Sequence, residues 1–319
     1  MRTTLSAIAI GASLACACQF ASAQIVTVTQ QGYGNTSAAE QIGAVTSDPG
    51  QPVSATATIT QVGYNNHVGG PGASGGGIFQ RENRYGGALA VVEQYGSGNN
   101  ASITQDGTVS FSGALTGTIT QRGALNDATI RQLIMTTSPA TVGQNGIGNV
   151  ARVEQVSSAD THLRTSQNGI GNRLTVTQIG TGYAGPDVTQ NGDGNTASVL
   201  VDGMGAAGTN ISQTGLLNSV RTVQNVGFDS SITVRQLGWG NRADANQDGE
   251  RQSATIDQNG NNNLARVTQS GITSPAFGNT ALIAQLGNSH TALVRQSGDG
   301  YTANVNQAGA GNWASIYQH

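Results

Sequence analysis

The sequence predicts an all-β chain: a β-solenoid of stacked strand-turn-strand coils, about 12 coils of about 23 residues, around a thin two-sheet core of cross-β type. Three observations carry this reading. Glutamine recurs every 11 to 12 residues, most regularly at Gln121, Gln144, Gln167, Gln190, Gln213 and Gln236, each 23 residues after the last, so one coil is a pair of beats. Counted from each anchoring Gln, an Asn at +5, a small residue at +7, Val or Ile at +9 and the next Gln at +11 are separated by two residues, which is the spacing of one strand face. Positions +6, +8 and +10 carry Arg, Thr, Glu, Asp and Ser and so face outward, while glycines at +2 and +4, such as Gly146 with Gly148 and Gly192 with Gly194, supply the positive φ of a turn at +1 to +4.

Composition fits a repeat better than a globular enzyme. Of 319 residues, hydrophobic types make up 36% and charged types 10%, both below the usual globular share; Gly, Asn, Gln, Ser and Thr take their place. The low charge also argues against an ordinary disordered tail. All 14 basic residues are Arg and the net charge is -3, so no specific nucleic-acid partner is expected from whole-molecule attraction.

In chain order, residues 1–23 read as a signal peptide: Arg2, an apolar stretch from Leu5 to Phe20, and Ala21-Ser22-Ala23 as the cleavage site before Gln24. The apolar stretch is short for a membrane anchor, and no other segment could span, so the mature chain is expected to be secreted, without a membrane span. A lipoprotein reading of Cys16 has Leu at the wrong offset. Cys16 and Cys18 both fall in this leader, leaving the mature chain without a thiol. Residues 24–93 carry an irregular beat, lengthened at Asp48 to Pro52 and Gly69 to Gly77, and residues 94–319 carry the regular one, with loop insertions at Thr108 to Gly117 and Ile272 to Gly278.

The beat defines an internal ladder. Stacking places each Gln over its equivalent about 4.8 Å along the axis, and a buried amide that would cost about 1 to 3 kcal/mol unpaired can donate to one neighbour and accept from the next. The expected glutamine rows are Gln94, Gln121, Gln144, Gln167, Gln190, Gln213, Gln236, Gln258, Gln285 and Gln307, and Gln105, Gln132, Gln155, Gln178, Gln224, Gln247, Gln269, Gln296 and Gln318, with Val201 where one Gln is missing. Earlier members are Gln30, Gln61, Gln41 and Gln80. The asparagine row is Asn99, Asn126, Asn149, Asn172, Asn195, Asn218, Asn241, Asn263 and Asn312.

The unit Q-x-G-x-x-N-x-A-x-[VI]-x-Q, as in Gln94, Gly96, Asn99, Ala101, Ile103 and Gln105, resembles the curlin repeat of curli fibre subunits, and it returns at Gln121 to Gln132, Gln258 to Gln269, Gln285 to Gln296 and Gln307 to Gln318. The resemblance implies a secreted functional-amyloid subunit that leaves through an outer-membrane export pore, polymerises axially with itself on a nucleator or other curlin subunit, and supports adhesion and biofilm. This chain has more coils than typical major subunits. It also reads as a strand from Ile25 to Gln30, where the family has a Gly-rich export segment, which leaves the export signal open.

Outward arginines form a basic stripe on one face: Arg131, Arg152, Arg173, Arg221, Arg242, Arg266 and Arg295 follow the first glutamine row, against only Arg164 and Arg235 on the other. They read either as gatekeepers against sideways aggregation, helped by Asp127, Glu154 and Asp244, or as a docking strip for anionic matrix polymers. The beat runs on through Trp313 to Gln318, so an uncapped last coil is expected to template another chain. His67, His162, His290 and His319 read as surface residues, and Asp193-Gly194-Asn195 lacks the recurring Asp of a calcium-binding turn. No catalytic residue, metal site or cofactor is predicted. Two rivals remain open: a monomeric solenoid binding ice or a surface through a Thr-x-Thr array, which Thr175 and Thr177 do not continue, and a polysaccharide-active solenoid enzyme, for which carboxylates and aromatics are sparse.

Overall fold

The computed structural model describes residues 5–7, 23–42, 54–69, 77–81, 87–106, 115–133, 137–180, 182–183, 185–203, 205–225, 228–271 and 277–319. The loops expected at Asp48 to Pro52, most of those expected at Gly69 to Gly77, Thr108 to Gly117 and Ile272 to Gly278, and Cys16 and Cys18 lie outside these residues. Every regular element among the described residues is a strand, and the chain divides into two compact units, Met1–Asp160 and Thr161–His319.

The N-terminal unit stacks five coils. One sheet runs Ala23–Tyr33, Ser54–Tyr64, Ala88–Ser97, Leu115–Ala124 and Ala140–Ile147, all parallel, with Leu5–Ala7 added antiparallel on Val28 to Gln30. The facing sheet stacks Thr36–Ser37 and Ala39–Ile42, then His67–Val68 and Ile78–Arg81, then Asn100–Asp106, Asp127–Leu133 and Val150–Val156. The C-terminal unit stacks seven coils. Its first sheet runs Leu163–Ile170, Asp187–Asp193, Ala207–Leu216, Ser230–Trp239, Ser253–Asn261, Thr280–Asn288 and Thr302–Ala310; its second runs Arg173–Ile179, Thr196–Asp202, Ser219–Asn225, Arg242–Asp248, Leu264–Ser270, Thr291–Ser297 and Trp313–Gln318. The fold is the β-solenoid that the periodicity predicts.

Register follows the repeat residue by residue. Gln94 pairs with Gln121, and Gln121 with Gln144; Gln190 pairs with Gln213, and Gln213 with Gln236. Alternation puts Ala128, Ile130 and Gln132 inside while Thr129 and Arg131 point out, as a period of two requires when only one face is covered. The aliphatic core is thin: Ile59, Ile119, Ile130, Ile211, Ile256 and Ile283 are fully buried, with alanines between them.

The turn is shorter than the sequence suggests. Strands of the first sheet continue through position +3, so Gly123 and Gly146 are paired strand residues rather than turn residues. Their φ values, 109° and 128°, belong to a region open only to glycine, and a Cβ on Gly123 would overlap the Gly146 carbonyl of the next coil. Reversal is left to position +4, where Gly148 and Gly194 take φ of 66° and 65°. Leu125 and Leu217 hold the same left-handed conformation, at 56° and 55°, with their side chains exposed. Residues 115–117, expected within a loop insertion, are also strand.

Candidate functional site

The interior amides form a site distributed along the stack. Gln94 Nε2 donates to Gln121 Oε1 at 2.8 Å and Gln121 Nε2 to Gln144 Oε1 at 2.9 Å; in the facing sheet Gln105 donates to Gln132 at 2.9 Å and Gln132 to Gln155 at 3.0 Å. The C-terminal unit repeats this from Gln167 through Gln190, Gln213, Gln236, Gln258 and Gln285 to Gln307, and from Gln224 through Gln247, Gln269 and Gln296 to Gln318, with distances of 2.8 to 3.0 Å. The second amide hydrogen crosses the core: Gln213 Nε2 reaches Thr196 O at 3.1 Å and Gln247 Nε2 reaches Ser231 O at 2.9 Å. Each glutamine therefore fixes the rung beyond it and ties the two sheets together, which meets the demand of a buried amide for partners.

Asparagine runs the opposite way. Asn126 donates its backbone N–H and Nδ2 back to Asn99 Oδ1 at 3.1 and 3.0 Å, and sends Nδ2 forward to Gly146 O at 3.0 Å. Asn149 bonds Asn126 in the same way. In the other unit Asn195, Asn218, Asn241 and Asn263 each bond the Asn before them, beginning at Asn172. These residues sit in the turn rather than in the strand, yet all are buried, so they pin the corner of every coil.

Two interruptions follow from single residues. Val201 lies between Gln178 and Gln224 in register, and the hydroxyl of Thr209 takes over as donor to Gln224 Oε1 at 2.7 Å. His290, expected on the surface, is fully buried in the asparagine row. Its backbone N–H donates to Asn263 Oδ1 at 2.9 Å, its Nε2 meets Leu286 O at 3.1 Å, and its Nδ1 accepts from the Asn312 N–H at 3.2 Å. Position +5 from Gln285 was the available signal: the imidazole supplies the acceptor that the Asn oxygen supplies elsewhere.

The ends of the rows carry opposite unpaired functions. In the rung Thr302–Ala310 with Trp313–Gln318, among the described residues Gln307 Nε2 donates only to Thr291 O and Gln318 Nε2 only to Thr302 O, while Asn312, Trp313 and Tyr317 are exposed. In the first rung, Gln30 and Gln41 donate onward to Gln61 and Gln80, and no described residue donates to either Oε1.

The seven arginines of the stripe all point outward from the second sheet of their unit and are exposed. Their partners differ. Arg131 pairs with Glu154 and Arg152 with Asp127, while Arg242 and Arg266 share Asp244 at 3.2 and 3.4 Å. Arg295 lies over the Tyr317 ring, 5.5 Å from its centroid. Arg173 and Arg221 have no carboxylate partner among the described residues. Arg81 joins Asp106 in a bidentate pair, a hydrogen bond that raises the guanidinium above its ordinary range. On the first sheet, Arg235 pairs with Asp257. Threonines that sequence reading did not align also emerge there: Thr56, Thr58 and Thr60, and Thr116, Thr118 and Thr120, occupy matching outward positions, with Leu89, Val91 and Glu93 on the rung between them.

The curlin-associated repeat family matches residues 54–107 and 240–271. No curated protein matches the chain. The two matched stretches fall in different units, and each contains the glutamine and asparagine positions that stack in register. Motif, register and family match agree that residues 54–107 and 240–271 are similar to curlin-associated repeats.

Proposed function

We propose that the protein is a secreted, non-enzymatic structural subunit that assembles head to tail into curli-like extracellular fibres serving adhesion and biofilm matrix. The observation that carries this reading is the polarity of the rows. Within each unit the glutamine bonds described above all point toward the higher-numbered rung, so the rung at 302–318 offers amide donors and the rung at 23–42 offers amide acceptors. A second copy placed on the last rung meets those donors with its own Gln30 and Gln41 acceptors, and its strand edges continue both sheets. Such a heterologous contact propagates into a filament rather than closing into a dimer, and open sheet edges are the usual template for it. The strand Leu5–Ala7 covers part of the receiving edge at Val28 to Gln30, so growth there requires its departure. That fits the reading of residues 1–23 as a leader removed on export through an outer-membrane pore. A nucleator or another curlin subunit presenting the same rung would start the fibre.

The test is assembly of purified protein beginning at Gln24, followed by thioflavin T fluorescence, electron microscopy and fibre diffraction. Fibres with a meridional reflection near 4.8 Å are expected. A persistently monomeric protein under all concentrations tried would overturn the reading. A second reading, a face that binds ice or a surface, draws on the outward threonines at 56–60 and 116–120, which the rung of Leu89, Val91 and Glu93 separates, and a monomer that shapes ice crystals would select it.

A further inference from the structure

The C-terminal unit carries a shallow groove on the outer face of its second sheet, lined by Arg221, Arg242, Asp244, Asn246, Arg266 and Thr268. Register explains the convergence. Arg221, Asp244 and Arg266 stand opposite one another on three successive strands, and Arg242 lies two residues before Asp244 on the same strand face. Adjacent strands are about 4.8 Å apart, so three guanidinium groups reach one small area. Asp244 takes one bond from Arg242 and one from Arg266, while the side chains of these arginines stay 60% and 55% exposed. A single carboxylate offsets one charge of three. Each guanidinium has five N–H donors, and Arg242 and Arg266 each give one of theirs to Asp244 while remaining more than half exposed.

We propose that this groove binds an acidic polysaccharide, with the carboxylate of a uronic acid unit held by Arg221, Arg242 and Arg266 and neighbouring hydroxyls held by Asp244, Asn246 and Thr268. Guanidinium groups suit a planar carboxylate because two parallel N–H donors match its two oxygens. Asn246 and Thr268 face each other across adjacent strands beside the cluster and add an amide and a hydroxyl. Asp244 supplies an acceptor, which a sugar hydroxyl can fill. A duplex nucleic acid finds a poorer match: its phosphates offer no donor to Asp244, and a carboxylate among the cations opposes a dense row of negative charge. An unbroken basic strip is the surface a polyphosphate would favour. The corresponding face of the N-terminal unit provides a built-in control, since Arg131 and Arg152 are each matched by an acid.

This inference concerns the flank of the coil and stands whether or not the chain forms fibres. Affinity electrophoresis of the purified protein through gels containing polygalacturonate, neutral dextran or double-stranded DNA tests it. Retardation by polygalacturonate is expected, falling roughly tenfold between low and high salt because the site is open to screening. The triple variant R221Q/R242Q/R266Q is expected to lose binding by about tenfold or more, and R131Q/R152Q to bind as the parent does. Circular dichroism of both variants should be unchanged, because all five side chains project from the outer face. Equal binding by the triple variant, equal retardation by dextran, or no retardation by polygalacturonate would overturn the proposal. So would tighter binding to DNA that the triple variant abolishes.

Discussion

The two units share one coil and differ in how they spend their outward positions. In the N-terminal unit the outer face of the second sheet is neutralised pair by pair, with Arg81 on Asp106, Arg131 on Glu154 and Arg152 on Asp127. In the C-terminal unit, Arg173, Arg221, Arg242, Arg266 and Arg295 share that face with Asp244, which partners two of them. The interiors compare in the reverse sense. The glutamine and asparagine rows of the N-terminal unit run unbroken between the partners named above, whereas the C-terminal unit accommodates Val201 and His290. Interior positions are held by the rung above and the rung below at once, so a departure survives only where another group replaces the missing bond, as Thr209 does beside Val201. Outward positions answer to no such constraint, which is why ligand chemistry can change there while the coil stays the same.

Substitutions that exploit this contrast should fall in a definite order. The largest effect is expected at a strand glycine: Gly123→Ala places a Cβ against the Gly146 carbonyl at a φ of 109°, which should cost about 3 kcal/mol or more and be read as lost stability in denaturant unfolding. Gly208→Ala in the C-terminal unit, which meets nothing within 4 Å, should instead be neutral or stabilise by up to about 1 kcal/mol. Equal effects at the two positions would break the distinction between a positive-φ glycine crowded by the next coil and a strand glycine facing open space.

Next comes the ladder. Gln132→Leu removes the bond that Gln105 donates and the one that Gln155 accepts and should cost about 2 to 3 kcal/mol. The converse change, Val201→Gln, inserts an amide between Gln178 and Gln224 and should gain at most about 1 kcal/mol, because the Thr209 hydroxyl already serves Gln224. His290→Asn restores the row residue between Asn263 and Asn312 and should likewise change stability by no more than about 1 kcal/mol at neutral pH. A large loss there would mean that the imidazole provides more than a substitute acceptor. The smallest effect is expected at Arg131→Gln, which removes one exposed ion pair of the N-terminal unit and should shift stability by about 0 to 1 kcal/mol, less at high salt.

Much of the coil was legible because its rules are local and repeated. A spacing of two between Asn126, Ala128, Ile130 and Gln132 states which side chains share the interior, and repetition of that spacing states that equivalent residues stack. The ladder followed, since buried glutamines need partners and their copies one coil away can supply them. The strand length did not follow. Gly123 and Gly146 look like turn residues until their pairing shows that the strand continues through them. His290 was misplaced because its type suggested the surface while its position, +5 from Gln285, put it in the asparagine row. The threonine rows were overlooked because their period is visible only once Thr56 and Thr116 are known to be two rungs apart on one sheet.

The sequence by itself determined the period, the inward and outward alternation and the identity of the stacked amides, because each depends on residues within one coil of each other. The tertiary structure decided the direction in which those amides donate, the pairing of each arginine, and the meeting of Arg221, Arg242 and Arg266 around Asp244. Those features bring together side chains from two or three successive coils, and their geometry exists only when neighbouring strands lie side by side in a single register.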